Sequence, residues 1–215
     1  MATDSHGISP DTTPEEFWDN FYSAGDRVWS GRPNAVLVRE VTGLTPGRAL
    51  DVGCGEGGDA IWLAREGWRV TAVDVSRVAL DRGAEHAASE GVGDRIDWQR
   101  HDLSVSFPDG TYDLVSTHFL HSWLELPRER ILRTAAGAVA PGGVLLITGH
   151  AAFPAWAPDP DPEFHFPTPE EVLAGLDLAD GQWDVLISDV HEEKVTDPGG
   201  EPATRTDNTV KLRRH

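Results

Sequence analysis

The 215-residue chain is 39% hydrophobic, enough to bury one sizeable core without requiring a second domain. Thirty-six acidic side chains against eighteen basic ones give a net charge of −18, which repels phosphate backbones and anionic lipid and so disfavours nucleic-acid and membrane partners. A single cysteine, Cys54, excludes an intramolecular disulfide and a cysteine-based zinc cluster; with no apolar leader and no run near the ~20 residues that span a bilayer, a cytoplasmic protein is expected.

Residues 1–13 are polar and aperiodic and are expected to form a flexible tail, leaving 14–215 as one domain. Pro14 suits a first helical turn, and Phe17, Trp18, Phe21 and Tyr22 then share one helical face. Ala35 to Val41 reads as a second short helix, so 14–47 forms a helical leader. From Arg48 the pattern alternates. Strands are expected at Ala49–Val52, Arg69–Val73, Arg95–Gln99, Tyr112–Ser116 and Val144–Thr148, with helices at Ile61–Arg65 and Val78–Ser89. A further helical stripe runs through Ile131, Leu132, Ala135, Ala136 and Val139 and closes at Pro141-Gly142-Gly143. Apolar rather than alternating strands suit a parallel sheet covered by helices on both faces, with 48–149 as a cofactor-binding core. Residues 150–215 supply a proline- and aromatic-rich loop to Pro169 and a helix over Glu170–Leu178. Two strands then follow, Trp183–Glu192 and Arg205–Arg213, around the turn Asp197-Pro198-Gly199-Gly200.

The stretch Asp51-Val-Gly53-Cys54-Gly55-Glu-Gly57-Gly58 lies between an expected strand and helix, where glycines permit a sharp turn and close approach of an adenosine-containing ligand. Gly53, Gly55 and Gly58 also satisfy the dinucleotide spacing, and Asp74, ending the second strand, would accept from ribose hydroxyls in either case. Asp51 discriminates: a carboxylate where nicotinamide-binding proteins usually carry an apolar residue favours a cationic ligand. S-adenosylmethionine (SAM) has an ammonium and a sulfonium and no pyrophosphate. Asp102 after the third strand can accept from an adenine amino group, and the Leu103 backbone can address a ring nitrogen.

The ordered segments Ala49-Leu-Asp-Val-Gly-Cys-Gly-Glu-Gly, Val-Thr-Ala-Val-Asp74, His-Asp102-Leu and Tyr-Asp113-Leu-Val resemble the motifs of class I SAM-dependent methyltransferases over Arg48–Gly149. That resemblance implies a Rossmann-like three-layer α/β sandwich with a seven-stranded, mostly parallel sheet and an antiparallel last strand. It also implies methyl transfer to a small-molecule acceptor. It places Asp51, Gly53, Gly55 and Gly57 around the methionine part of SAM, Asp74 on the ribose, and Asp102 at the adenine with Val75 flanking its face; Cys54 within the loop and Leu103 beside Asp102 are expected among the cofactor-binding residues. The leader, Phe17-Trp18-Asp19 with Tyr22 and Trp29-Ser-Gly31-Arg-Pro33-Asn34, is similar to that of thiopurine and tellurite-resistance methyltransferases, which implies a cover over the cofactor with Trp29 near SAM.

Transfer from a sulfonium is a direct displacement in which positioning does much of the work and a base is optional. Candidate bases sit at the ends of the fourth and fifth strands: His118 and His121 first, then His150, with His165 in the aromatic loop; His118 is also a candidate contact to the cofactor. No zinc-type spacing occurs, so no metal is expected. Trp123, Phe153, Trp156, Phe164 and Phe166 either line an apolar acceptor pocket or pack beneath a loop. A nicotinamide-dependent oxidoreductase and a non-catalytic SAM-binding module are the competing readings.

Overall fold

The computed structural model of the chain describes residues 9, 11–157, 164–197 and 199–215. Apart from 9 and 11–13, the tail expected over 1–13 lies outside them, as does Pro198 of the expected turn. The chain forms two compact units, one from Met1–Thr111 and Ser122–Leu126, the other from Tyr112–His121 and Pro127–His215.

In the first unit, helix α1 (Pro14–Ser23) starts at a capping box: Glu16 N–H donates to Thr13 Oγ1 (3.2 Å), and Thr13 N–H donates to Glu16 Oε2 (3.1 Å). Helix α2 (Ala35–Val41) follows, and then strands β1 (Arg48–Val52), β2 (Arg69–Asp74) and β3 (Ile96–Arg100) pair in parallel, with Val52 opposite Val73 and Val70 opposite Ile96. Ala49 through Val52 are all buried, as strands covered on both faces must be. Helix α3 (Gly58–Arg65) connects β1 to β2 and begins three residues before the first apolar residue that marks it in sequence. Helix α4 (Arg77–Ser89) connects β2 to β3; its N-cap is Ser76, whose Oγ accepts from Ala79 N–H (3.2 Å).

In the second unit, β4 (Tyr112–His118) and β5 (Val139–His150) are parallel neighbours joined by helix α5 (Arg128–Gly137). Helix α6 (Pro169–Gly175) carries the same Thr-Pro capping box as α1, and β6 (Trp183–Thr196) and β7 (Pro202–Arg214) form a long hairpin. Pro141-Gly142-Gly143, expected to close a helix, instead lies within the span of β5, where the β4–β5 register shifts. Gly142 has φ +79°, and a Cβ at Gly143 would stand 2.8 Å from the Ala140 carbonyl oxygen, so only glycine makes this bulge. Both hairpin strands outrun their sequence expectation, because Glu193–Thr196 and Pro202–Thr204 pair with each other and carry little apolar signal.

The strand order is β3-β2-β1-β4-β5-β7-β6 in one seven-stranded sheet, with β7 antiparallel to both of its neighbours. The expected mostly parallel sheet is therefore present, with the final strand inserted beside β5 rather than at the edge.

Candidate functional site

The loop from β1 to α3 is built from backbone bonds. Gly53 and Cys54 N–H both donate to the Val73 carbonyl at 2.9 Å, and Gly57 N–H donates to the Cys54 carbonyl at 2.9 Å. Gly53, Gly55 and Gly57 all have positive φ, at +75°, +53° and +79°. Asp74 at the end of β2 braces the loop: its Oδ2 accepts from Gly55 N–H (2.9 Å) and its Oδ1 from Ser76 N–H (3.0 Å). Burial still holds the Asp74 carboxyl above the usual range despite these bonds. Val75 follows in the same turn, and His101 N–H donates to the Asp74 carbonyl (2.9 Å), fixing Asp102 and Leu103 beside it. Asp102 Oδ1 accepts from Ser104 N–H (2.9 Å), so this carboxylate also closes a turn.

Asp51 is 2% exposed, and its Oδ2 is a buried oxygen with no hydrogen-bond partner among the described residues. Burial first, then the carboxylates of Asp59 and Asp74, push its pKa well above the usual range. A buried carboxylate left in this state fits an incoming cation. Cys54 is likewise raised well above its usual value, by burial first and then by Asp74 and Asp51, which keeps it a neutral thiol rather than a nucleophile.

The two later glycines have different reasons. A Cβ at Gly55 would stand 2.9 Å from Tyr22 Oη and 3.5 Å from Trp29 Nε1, so this glycine lets the leader close over the loop. At Gly57 it would fall 2.3 Å from the Trp98 ring, so Gly57 gives way to packing inside the protein. Trp29 Nε1 donates to Tyr22 Oη (3.1 Å), and Tyr22 is 4% exposed while Trp29 is half exposed. Burial and then Asp74 raise the Tyr22 phenol far above its ordinary value, so it stays protonated.

Four charged residues hold the leader down, and of these Arg82 and Asp59 carried no signal in the sequence. Glu56 Oε2 accepts from Val28 N–H (3.1 Å) and Trp29 N–H (3.0 Å), while its Oε1 pairs with Arg82 (3.1 Å), which also donates to the Tyr22 and Gly25 carbonyls. Asp59 accepts from Asn34 N–H (2.6 Å) and Nδ2 (2.8 Å), and Asp19 accepts from Ser76 Oγ (2.6 Å). Glu56 carried a hint in sequence as the charged residue between Gly55 and Gly57, and Asp19 as part of the leader motif. Trp123 packs in this unit against Phe17, Trp18 and Phe21, with ring centroids 5.9, 5.6 and 5.4 Å away.

In the second unit, His118 ends β4 and is 8% exposed. His121 Nε2 accepts from His150 N–H (3.4 Å), and the two imidazoles stack at 5.2 Å and 8°. Burial, then the proximity of His150, lowers His121 to about 4, so it is neutral at physiological pH. His150 Nδ1 lies 3.1 Å from Asp207 Oδ1. His165 bonds Glu171 Oε2 (2.8 Å), the acid of the α6 capping box, which gives that histidine a structural partner. Among the described residues, no group of three or more His, Cys, Asp or Glu side chains forms a metal site.

Residues 49–143 match a family described as a methyltransferase domain. Ribosomal RNA small subunit methyltransferase C of Alcanivorax borkumensis is 35% identical over 128 residues, covering 56% of this chain and 38% of that protein. Methyltransferase GfsG of Streptomyces halstedii is 35% identical over 103 residues, covering 46% and 36%. The chain thus spans well under half the length of these curated relatives. A solved structure reported under "Conversion of a Disulfide Bond into a Thioacetal Group during Echinomycin Biosynthesis" matches with a TM-score of 0.70 and 25% identity, covering 93% of this chain and 92% of its own. In its motif order, sheet topology and acid-lined glycine loop, the chain is similar to the class I SAM-dependent methyltransferases.

Proposed function

We propose that the protein transfers the methyl group of SAM to a small-molecule acceptor and releases S-adenosylhomocysteine. The observation that carries this reading is Asp51, a buried carboxylate oxygen without a partner among the described residues, set at the start of the glycine loop. The SAM ammonium is the cation that suits it. Asp74 keeps lone pairs for ribose hydroxyls, and Val75, Asp102 and Leu103 follow in the order needed for adenine. Gly53, Cys54 and Gly55 shape the loop, while Tyr22 and Trp29 cover Gly55 and exclude water. Once bound, the sulfonium supplies an electrophilic methyl carbon, and the protein's part is to hold the acceptor in line with it. His118 and His121 are assigned to the acceptor side; with its pKa near 4, His121 serves there as a neutral hydrogen-bonding group. The net charge of −18 supports a small acceptor over RNA, the kind of acceptor named for one relative.

Calorimetry of SAM, S-adenosylhomocysteine and NADH tests the cofactor. Wild type is expected to bind both sulfur compounds, with affinity at least about tenfold weaker in Asp51→Ala and Asp74→Ala, and to give no heat with NADH. Binding of NADH alone would overturn the reading. Tight SAM binding with no methyl loss to any acceptor would assign a non-catalytic SAM-binding module instead.

A further inference from the structure

At the C-terminal end of β5, polar atoms of the second unit gather around a residue that has no side chain. A Cβ at Gly149 would stand 3.4 Å from Asn208 Oδ1, 3.5 Å from Arg128 Nη2 and 3.7 Å from His121 Nε2. These atoms come from β7, from the first residue of α5 and from the segment after β4, so folding of this unit brings them to one point. Gly149 does not have a positive φ, so backbone conformation does not demand glycine here.

Each of the three groups has a defined polarity. Asn208 is 1% exposed, and its Nδ2 donates to the His150 carbonyl (3.3 Å) and the Pro167 carbonyl (2.8 Å), which fixes the amide with Oδ1 toward Gly149. That Oδ1 is buried with no hydrogen-bond partner among the described residues, a state that costs stability until a donor arrives. His121 Nε2 accepts from His150 N–H (3.4 Å), so it is a second acceptor on a neutral ring.

Arg128 supplies the charge. Its Nε donates to the Leu120 carbonyl (3.2 Å), and no carboxylate among the described residues pairs with its guanidinium. Glu129, next along α5, instead lies 3.9 Å from Arg133 and is 75% exposed. Arg128 also stands at the positive end of a ten-residue helix whose N-cap, Pro127, makes no side-chain cap bond. Burial lowers its pKa and Glu129 offsets this only in part, as for a cation short of a counter-charge. The flank beyond Asn208 is aromatic. Phe166, beside the Pro167 that Asn208 holds, packs on Phe153 and Phe164 at 4.8 and 4.7 Å, and those two rings stay 38% and 51% exposed.

We propose that Arg128 and Asn208, meeting over Gly149, bind a carboxylate whose neighbouring carbon bears a hydroxyl or amino donor, an α-hydroxy or α-amino acid with an apolar side chain. The carboxylate accepts charge-assisted hydrogen bonds from Arg128, and the O–H or N–H donates to Asn208 Oδ1. His121 Nε2, itself an acceptor, turns the carboxylate toward Arg128. A simple carboxylate satisfies Arg128 but leaves Asn208 Oδ1 unbonded, so the donor selects among acids. The site lies wholly within the second unit, and its occupancy does not depend on methyl transfer.

Calorimetry of the full chain without SAM tests this with L-3-phenyllactate, L-phenylalanine and 3-phenylpropionate. At least one of the first two is expected to bind at least about tenfold more tightly than 3-phenylpropionate. Arg128→Gln should weaken that binding at least about tenfold. Gly149→Ala adds a methyl that meets its neighbours at ordinary contact distance, so it should keep the wild-type melting temperature and still weaken binding by a comparable factor. That variant keeps the test decisive even where Arg128→Gln fails to fold. Incubating the bound acid with radiolabelled SAM separates two sources of the same chemistry: label on the acid makes it the methyl acceptor, and no label makes it a separate effector, the site standing in both cases. No binding of any of the three acids by folded wild type at about 10 mM, equal binding of all three, or wild-type affinity in either folded variant would each overturn the inference.

Discussion

Burial sets Asp51 and Asp74 against their own ionisation, and Asp51 has the sharpest consequence. Its folded pKa lies well above that of an unfolded aspartate, so the folded state binds its proton more tightly. Stability contributed by the protonated form is full below the unfolded value near 4 and is lost as pH rises through the folded pKa. Asp51→Asn is therefore expected to raise the ligand-free melting temperature at pH 7 by about 2–4 °C, with the gain vanishing near pH 4. Calorimetric scans across pH check both limbs, and saturating SAM should stabilise wild type more than the variant. Asp51, Asp74 and Asp102 were legible in sequence because each ends a strand or its first turn in chain order. Asp207 was not, since its partner His150 is 57 residues away and only the β5–β7 pairing joins them.

Among the elements, the leader is the one whose place depends on a few charged bonds. Helix α1 reaches α4 through Asp19 and Ser76, and the following segment is pinned by Glu56, Asp59 and Arg82. Removing Arg82 leaves Glu56, 3% exposed, to balance its charge on two backbone N–H groups alone. Arg82→Ala is expected to cost about 1.5–3 kcal/mol of local stability and to speed proteolytic cleavage within 24–33 at least about tenfold, with SAM slowing it. Cleavage at the wild-type rate would mean that the apolar contacts of Tyr22 hold the leader unaided. The helix start at Pro14 was readable because a capping box is local, whereas the glycine bulge in β5 was not, because Pro-Gly-Gly after a helical stripe carries the same signal as a helix stop.

At the scale of the whole molecule, the charge of −18 is the property that bears on partners. Gel-shift titration with tRNA at physiological salt is expected to show no binding, and retention in a salt-dependent complex would favour an RNA acceptor. The sequence by itself determined the alternation of strands and helices, the glycine loop and the order of its acids, because these are local patterns of periodicity and turn chemistry. Tertiary structure decided which groups meet: that Gly55 faces Tyr22 and Trp29 while Gly57 yields to Trp98, and that β7 inserts beside β5 and brings Asp207 to His150. Contacts between residues tens of positions apart leave no periodic trace along the chain, so packing alone assigns them.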